Sequence, residues 1–406
     1  MLRRKNYWLL FAVLLLSLTS LSPGMELPSE EGGPEPDRPR EENPGREADR
    51  PEGGGLLRIS LSLNENEFAL MKELCRQYTQ DTGVAVELGN RNGEEEDRGE
   101  LLRELTIGDN PDILMADARD IRGLAESGYL LPVDLYQHTQ GGAPLNLLLP
   151  LLQWNGYNWG VPLDVDPYVL AYSREALSEY GLSGLPDSLE EWSRLSGGMK
   201  GQAGRYVLAL SSAEPYGLAS FLAHYQGNGQ ALEWIAKSRG SFYLTSQTDE
   251  ALWQKLRRGE VGAAAVPLSE SRGSGLELQV PLTSSGTVPL DILKVRVFLL
   301  SAQSREPETA AQWMAYVTSA VSQNRWLADT GRMPAADEWY RNYGMDRIVK
   351  PRWMLTEAAV PGGRSGDMNW AAAADAAQGL LTGRFGAEAY REALSAETSA
   401  PVSPAL

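Results

Sequence analysis

The chain is poor in cysteine, histidine and phenylalanine: one Cys (Cys75), two His (His138 and His224) and 6 Phe in 406 residues. A lone cysteine excludes an intramolecular disulfide framework. So few Cys and His leave neither a zinc site nor a Cys–His nucleophile to be expected, and no metal or cofactor is implied. Basic residues are also outnumbered, Lys+Arg 37 against Asp+Glu 54, for a net charge of −17. With no basic surface to neutralise phosphates, a nucleic-acid partner is not expected; the acidity fits an exported soluble protein and equally fits plain solubility. Gly-x-Ser-x-Gly, His-Glu-x-x-His and P-loop motifs are missing as well. Near the start, Arg3, Arg4 and Lys5 precede an apolar run over residues 7–21. That is the basic and apolar order of an export signal, slightly short for a membrane span. Ser22 and Gly24 permit cleavage before Met25 without a clean Ala-x-Ala, so residues 1–24 read as a signal peptide or a retained N-terminal anchor.

What the chain does contain is 42 % apolar residues and a length too great for one ordinary domain but comfortable for two. Residues 25–55 are rich in Pro, Gly, Glu and Arg with almost no apolar side chains. Such a composition cannot offset its ordering entropy and reads as a disordered acidic tether. Residues 56–395 remain for folding, with 396–406 as a flexible tail.

A strand pattern over 57–63 is followed by Asn64-Glu65-Asn66-Glu67, cap-type residues that open a helix over 67–79. Phe68, Met71, Leu74, Cys75 and Tyr78 share one helical face, which makes Cys75 a small buried hydrophobe. Gly83 stops the helix, and a strand over 84–88 completes a β-α-β unit that demands parallel pairing. A helix capped by Ser188 carries Leu189, Trp192 and Leu195, and further helices are expected near 215–225, 231–237, 249–258, 306–318, 322–328, 337–343, 367–381 and 387–394. Strands are expected near 113–115, 206–210, 261–266, 276–280 and 295–300. The stretch 157–174 is the most informative. Alternation over 168–172 reads as strand. Pro162 and Pro167 each remove a ladder donor, so neither is expected inside a central strand. Asp164 and Asp166 lie two residues apart, on one face of an extended chain. The reading is a crossover that leaves one lobe near Pro162 and enters a second near Tyr168, with its carboxylates turned into a cleft. Gly331-Arg332-Met333-Pro334 reads as another crossover. The expected lobes are 56–162 with 290–330, and 163–289 with 331–395.

Five motifs follow one another over nearly all of 56–395: Gln80-Asp81-Thr82-Gly83-Val84, Gly108-Asp109-Asn110-Pro111-Asp112-Ile113-Leu114, Ala125-Glu126-Ser127-Gly128-Tyr129-Leu130, Tyr157-Asn158-Trp159-Gly160-Val161-Pro162 and Glu214-Pro215-Tyr216. Together they resemble the extracellular solute-binding proteins of ABC importers (family 1), on the maltodextrin-binding side. The resemblance implies an α/β fold of the type II periplasmic-binding-protein-like kind: two lobes, a hinge of two or three crossovers, and an interlobe ligand cleft that closes by hinge motion. It implies that Asp166 is a cleft carboxylate for sugar hydroxyls, that Glu214 and Tyr216 bind hydroxyls and stack on a ring, and that Trp370 is a stacking tryptophan. The chain departs from the pattern at Ala116 and Arg119-Asp120, where maltodextrin binders carry Trp and an Asp-Arg pair, and at Ala374 in place of a late helical arginine.

A sugar site needs flat aromatic faces for the rings and carboxylates or amides for the hydroxyls. The chain has Trp 11 against Phe 6. Trp154, Trp159, Trp253, Trp326, Trp353 and Trp370 are candidates for stacking or core, whereas Trp192, Trp234 and Trp313 fit apolar helix faces. The expected ligand-binding set is Asp166, Glu214, Tyr216, Trp370, Asp164, Tyr168, Asn64, Glu65, Asp117 and Trp353. The implied function is the substrate-binding component of a carbohydrate importer: a monomer, exported, with a mono- or oligosaccharide ligand and ABC permease subunits as partners. Two other classes stay open: a membrane-tethered sensory or interaction protein of the same fold without tight sugar binding, and a carbohydrate-active enzyme using Asp164, Asp166 and Glu214 as paired carboxylates.

Overall fold

The computed structural model describes residues 55–91, 101, 103–106, 111–134, 142–225, 229–246, 248–283, 286, 288–342 and 370–395. Its first unit is the expected β-α-β. Strand β1 (Leu56–Leu61) leads into helix α1 (Glu65–Thr82), and β2 (Ala85–Asn90) returns parallel to β1. The helix starts where it does because Asn64 and Glu67 form a reciprocal cap. The Glu67 N–H donates to Asn64 Oδ1 at 2.9 Å and the Asn64 N–H donates to Glu67 Oε2 at 3.3 Å. It ends at Gly83, whose φ of 76° is left-handed backbone that a glycine enters at little steric cost. Strand β3 (Ile113–Asp117) lies on the other side of β1, also parallel. The short strand β4 (Leu130–Leu131) and a hairpin of β5 (Gln153–Trp154) and β6 (Tyr157–Asn158) follow.

Strand β7 (Gly160–Tyr172) is the spine of the molecule and is buried along its whole length. It pairs antiparallel with β12 (Leu293–Ser301) over its first half. Over its second half it pairs antiparallel with β10 (Val261–Pro267) and with β11 (Glu277–Gln279). Beyond β10 come β8 (Tyr206–Ser211) and β9 (Phe242–Thr245), both parallel to it. The resulting order is β2-β1-β3-β12-β7-β10-β8-β9, with β13 (Met333–Pro334) added to β7 at Asp164 and Val165.

The two prolines expected outside a central strand are inside this one, for a physical reason. Pro162 sits beside a bulge: Arg296 pairs with Asp164 and Val297 with Pro162, which leaves Leu163 as an extra residue. Pro167 stands where β7 exchanges partners, its last pairing on β12 being with Leu293 before Tyr168 pairs with Pro267 of β10. Neither position needs the donor that proline lacks.

Among the described residues, the helices of eight or more residues after α1 are α2 (Leu189–Met199), α3 (Tyr216–His224), α4 (Gly229–Ser238), α5 (Glu250–Arg257), α6 (Pro307–Val317), α7 (Ala320–Thr330), α8 (Trp370–Thr382) and α9 (Ala387–Ser395). They divide between two lobes. Helices α1, α6 and α7 cover the first, whose core holds Leu57, Met71, Tyr78, Phe298 and Trp313. Helices α2, α3, α4, α8 and α9 build a second core with Trp192, Phe221, Trp234, Leu380 and Tyr390, while α5 seals the other face of the second sheet through Leu252, Trp253 and Leu256. Strand β10 is made of small residues because α2 and β8 come so close: a Cβ at Gly262 would lie 2.8 Å from the Val207 carbonyl oxygen. After β13 the chain returns to the first core, where the Asp337–Asn342 helix places Trp339 and Tyr340. Those residues therefore pack with the lobe opposite to the one expected for 331–395. Among the described residues no helix is long and apolar enough to cross a membrane.

Cys75 lies inside the first core, 5 % exposed, and burial pushes its thiol up to about 12. In the native protein at pH 8, Cys75 is expected to be silent to a thiol-specific dye and to react in full once urea unfolds the chain. Rapid labelling of the folded protein would contradict this packing.

Candidate functional site

The site begins at the bulge in β7. Asp164 and Asp166 do share a face, as their spacing predicts, but both are sealed, at 0 % and 1 % exposure. A buried carboxylate must find counter-charge, and here β12 and the turn before β13 supply it. Arg296 on β12 donates from Nε to Asp164 Oδ1 at 3.0 Å, and from Nη1 and Nη2 to Glu67 at 2.8 and 3.1 Å. Arg332 donates from Nε to the same Glu67 at 2.7 Å and from Nη1 to Asp166 Oδ2 at 2.9 Å. The Trp326 indole N–H donates to Asp164 Oδ2 at 2.8 Å, and the Ser269 backbone N–H donates to Asp166 Oδ1 at 3.0 Å. Glu67 thus has two duties: its carboxylate caps α1 and binds both guanidiniums. Burial alone would raise its pKa, but Arg296 and Arg332 more than offset that and hold it at about 2. At Asp166 burial prevails over Arg332 and the pKa is raised.

A second group lies beside the first. Glu214, just ahead of α3, accepts from Lys294 Nζ and from the Tyr168 hydroxyl. Burial pushes the Glu214 pKa upward, and the Lys294 charge reverses that, leaving it lowered. Tyr168 stacks on Tyr216 with ring centroids 5.4 Å apart and planes 22° from parallel. The Tyr216 hydroxyl donates to Asp117 Oδ2 at 2.5 Å. Asp117 also accepts the Arg119 N–H at 3.0 Å, and the Arg119 guanidinium lies 6.0 Å from the Tyr216 ring centroid.

Between these groups is a cavity of about 30 Å³, room for a couple of waters as arranged. Its walls include Ser211, Thr245 and Ser246 at the carboxyl ends of β8 and β9, Pro267 at the end of β10 and Glu270 just past it, and Tyr168, Glu214, Lys294 and Arg332. Hydroxyls, carboxylates, an ammonium and one aromatic ring therefore converge at the switch from one sheet half to the other. That is where open α/β sheets place ligands. Most wall residues belong to the second sheet and the segments around it, while Lys294 comes from β12, which pairs with β3 in the first.

Of the expected ligand set, the fold brings Asp117, Asp164, Asp166, Tyr168, Glu214 and Tyr216 together. Asn64 spends its side chain on the helix cap, and Glu65 is exposed in the first turn of α1. Trp370 is the first residue of α8, its side chain outside the described residues, and Trp353 lies outside them altogether. Trp326 joins the charge network, Trp253 belongs to the core under α5, and Trp154 and Trp159 lean on each other in the first lobe, centroids 5.8 Å apart. Sequence reasoning missed Glu67, Ser269, Lys294, Arg296 and Arg332. A signal for Arg296 was present: it interrupts the apolar run Leu293–Ser301, where a charge needs a buried partner.

Two lobes sharing a crossover spine, with a polar cavity at their junction, define the class of binding proteins. The family model for bacterial extracellular solute-binding proteins matches residues 73–346, and the chain belongs to that family. The fold agrees with solved relatives. The GacH receptor of Streptomyces glaucescens, described unliganded and with acarbose, is 17% identical with a TM-score of 0.61, over 85% of this chain and 99% of that one. An ABC transporter solute-binding protein from Thermotoga lettingae bound to alpha-D-tagatose is 17% identical, TM-score 0.64, over 84% and 97%. The galacto-N-biose/lacto-N-biose I-binding protein of Bifidobacterium longum is 15% identical, TM-score 0.62, over 86% and 96%. A search of curated proteins finds no match. Family and neighbours are solute-binding proteins, not enzymes.

The charge network makes a prediction with a sign. A carboxylate whose folded pKa is depressed contributes stability that is complete above its unfolded value, 4.5 for Glu67, and is lost as pH falls through about 2. Asp166 acts oppositely: its raised pKa makes the ionised form a cost near neutrality that acid relieves. Glu67→Gln should lose about 3–5 kcal/mol at pH 7, because two buried guanidiniums lose a shared partner. Its urea-unfolding free energy should also fall less steeply than the parent's between pH 4.5 and 2. Equal slopes in the two proteins would take Glu67 out of the charge balance.

Proposed function

We propose that this protein is the extracellular substrate-binding component of an ABC-type carbohydrate importer, and that it holds a mono- or oligosaccharide at the junction cavity. The observation that carries this is the convergence of Tyr168 and Glu214, two residues marked by the sequence, with Lys294, Arg332 and the Ser211, Thr245 and Ser246 hydroxyls at the carboxyl ends of β8 and β9. In this reading Glu214 accepts from sugar hydroxyls, Lys294 donates to them, and Tyr168 offers a ring edge or face. Asp164 and Asp166 act at one remove by holding Arg296 and Arg332. Trp370 remains a stacking candidate at the start of α8. The acarbose, tagatose and lacto-N-biose bound by the related structures support the ligand class. The apolar run over 7–21 supports export, with the tether either released by cleavage or held at the membrane. Permease subunits are the proposed partners of a monomer.

A second reading has its own observation. The Tyr216–Asp117 bond uses two expected ligand residues on each other, as suits a tethered sensory or interaction protein of this fold. Titration calorimetry against a panel of neutral mono- and oligosaccharides separates the two. The importer reading expects binding of at least one sugar without turnover, and expects Glu214→Gln to weaken it at least about tenfold, or ~1.4 kcal/mol. Silence across the panel would sink the importer reading and favour the second.

A further inference from the structure

We propose that the junction cavity is built to take an anionic oxygen group, so that the solute of the sugar-binding reading above, on which this rests, is an acidic sugar: a uronate or a sugar phosphate. Arg332 carries the argument. It is 8 % exposed, lines the cavity, and spends Nε on Glu67 and Nη1 on Asp166. Its Nη2 has no hydrogen-bond partner among the described residues, and it is not sealed inside the protein either. A guanidinium donates through five N–H groups in a fixed fork, so this end of it is left for a solute. Lys294 adds to the supply. Its ammonium carries three protons, and among the described residues Glu214 is the acceptor it meets. Ser211 Oγ accepts the Ala213 and Glu214 N–H groups at 3.2 Å each, which leaves its own proton to donate.

Acceptors and rings at the same place are more fully committed. Each oxygen of Glu214 takes a bond, one from Lys294 and the other from the Tyr168 hydroxyl. Tyr168 is 4 % exposed with one face on Tyr216, and Tyr216 is 2 % exposed with its hydroxyl on Asp117. These two rings offer a pyranose little surface for stacking. A neutral sugar hydroxyl donates as well as accepts, and here it meets mainly donors. A carboxylate or phosphate oxygen only accepts, and its bonds to cationic donors are roughly twice as strong as neutral ones. The two cations also lie near enough to oppose each other. Burial and the Arg332 charge both press the Lys294 pKa down, and Glu214 outweighs them and leaves it raised. An anion set against both relieves that repulsion. Size agrees: about 30 Å³ admits the oxygens of an acid group ahead of any ring.

Titration calorimetry of the full chain with pairs matched except for charge tests this. Glucuronate and galacturonate are each compared with their neutral amides, and glucose 6-phosphate with glucose. In at least one pair the acid should bind at least about tenfold tighter than its neutral partner. An advantage in the uronate pairs assigns the group as a carboxylate, and one confined to the phosphate pair assigns it as a phosphate. Equal binding within every pair, or tighter binding of the neutral partners, would overturn the inference and leave the sugar-binding reading standing. So would silence from all six compounds in a protein that binds some other neutral sugar, whereas silence toward every sugar ends both. Arg332→Lys keeps a cation but removes the Nη2 donor. In the variant with parent-like circular dichroism the acid's advantage should shrink to less than about threefold. An undiminished advantage there would overturn the assignment to Arg332, and the paired titrations on the parent decide the matter even if the variant does not fold.

Discussion

Two guanidiniums shared among three carboxylates hold the crossing point together. Arg296 and Arg332 meet Glu67, Asp164 and Asp166 where β7, β12 and β13 run side by side, and none of the five side chains is more than 9 % exposed. Charges so placed cannot be left single without a penalty of several kcal/mol. The geometry of the crossing is therefore tightly constrained: a shift of any one segment would strip a partner from a buried ion. Helix α1 is part of the same constraint, because Glu67 serves its cap and the network at once. The cavity inherits this rigidity through Arg332, whose guanidinium is both a network member and a wall.

That arrangement explains how a fold shared at only 15–17% identity with sugar-binding neighbours can carry different contacts. The scaffold needs two α/β lobes, a shared strand and close-packed helices, all of which depend on apolar patterning and tolerate wide substitution. The junction depends instead on a few polar side chains whose partners come from distant parts of the chain. Glu67 and Arg332 are 265 residues apart, and Tyr216 and Asp117 are 99.

Much of the fold was legible because its signals are local. The cap at Asn64, the stop at Gly83, Ser188 ahead of α2 and Asp249 ahead of α5 each bond to backbone within a few residues. The continuity of β7 through Pro162 and Pro167 was not, since whether a strand tolerates a proline depends on what its neighbours demand at that position. The site was half legible. The carboxylates on β7 could be placed on one face by spacing alone. Their partners could not, because an arginine in a strand or turn carries no mark of the acid it will meet. Reading Asp164 and Asp166 within the buried run Gly160–Tyr172 as charges in want of a counter-ion points toward Arg296 and Arg332.

The extra residue at Leu163 has a consequence for evolution of the junction. A strand that carries side chains alternately to its two faces reverses them all when slipped by one. The bulge absorbs one such slip locally, so the first lobe can keep its pairing with β12 while the acids beyond it point at the arginines. Loss of a single codon there would leave two intact lobes whose charged groups face into hydrocarbon. The placing of the two acids in this chain thus rests on a segment in which insertion and deletion are far less permissible than substitution.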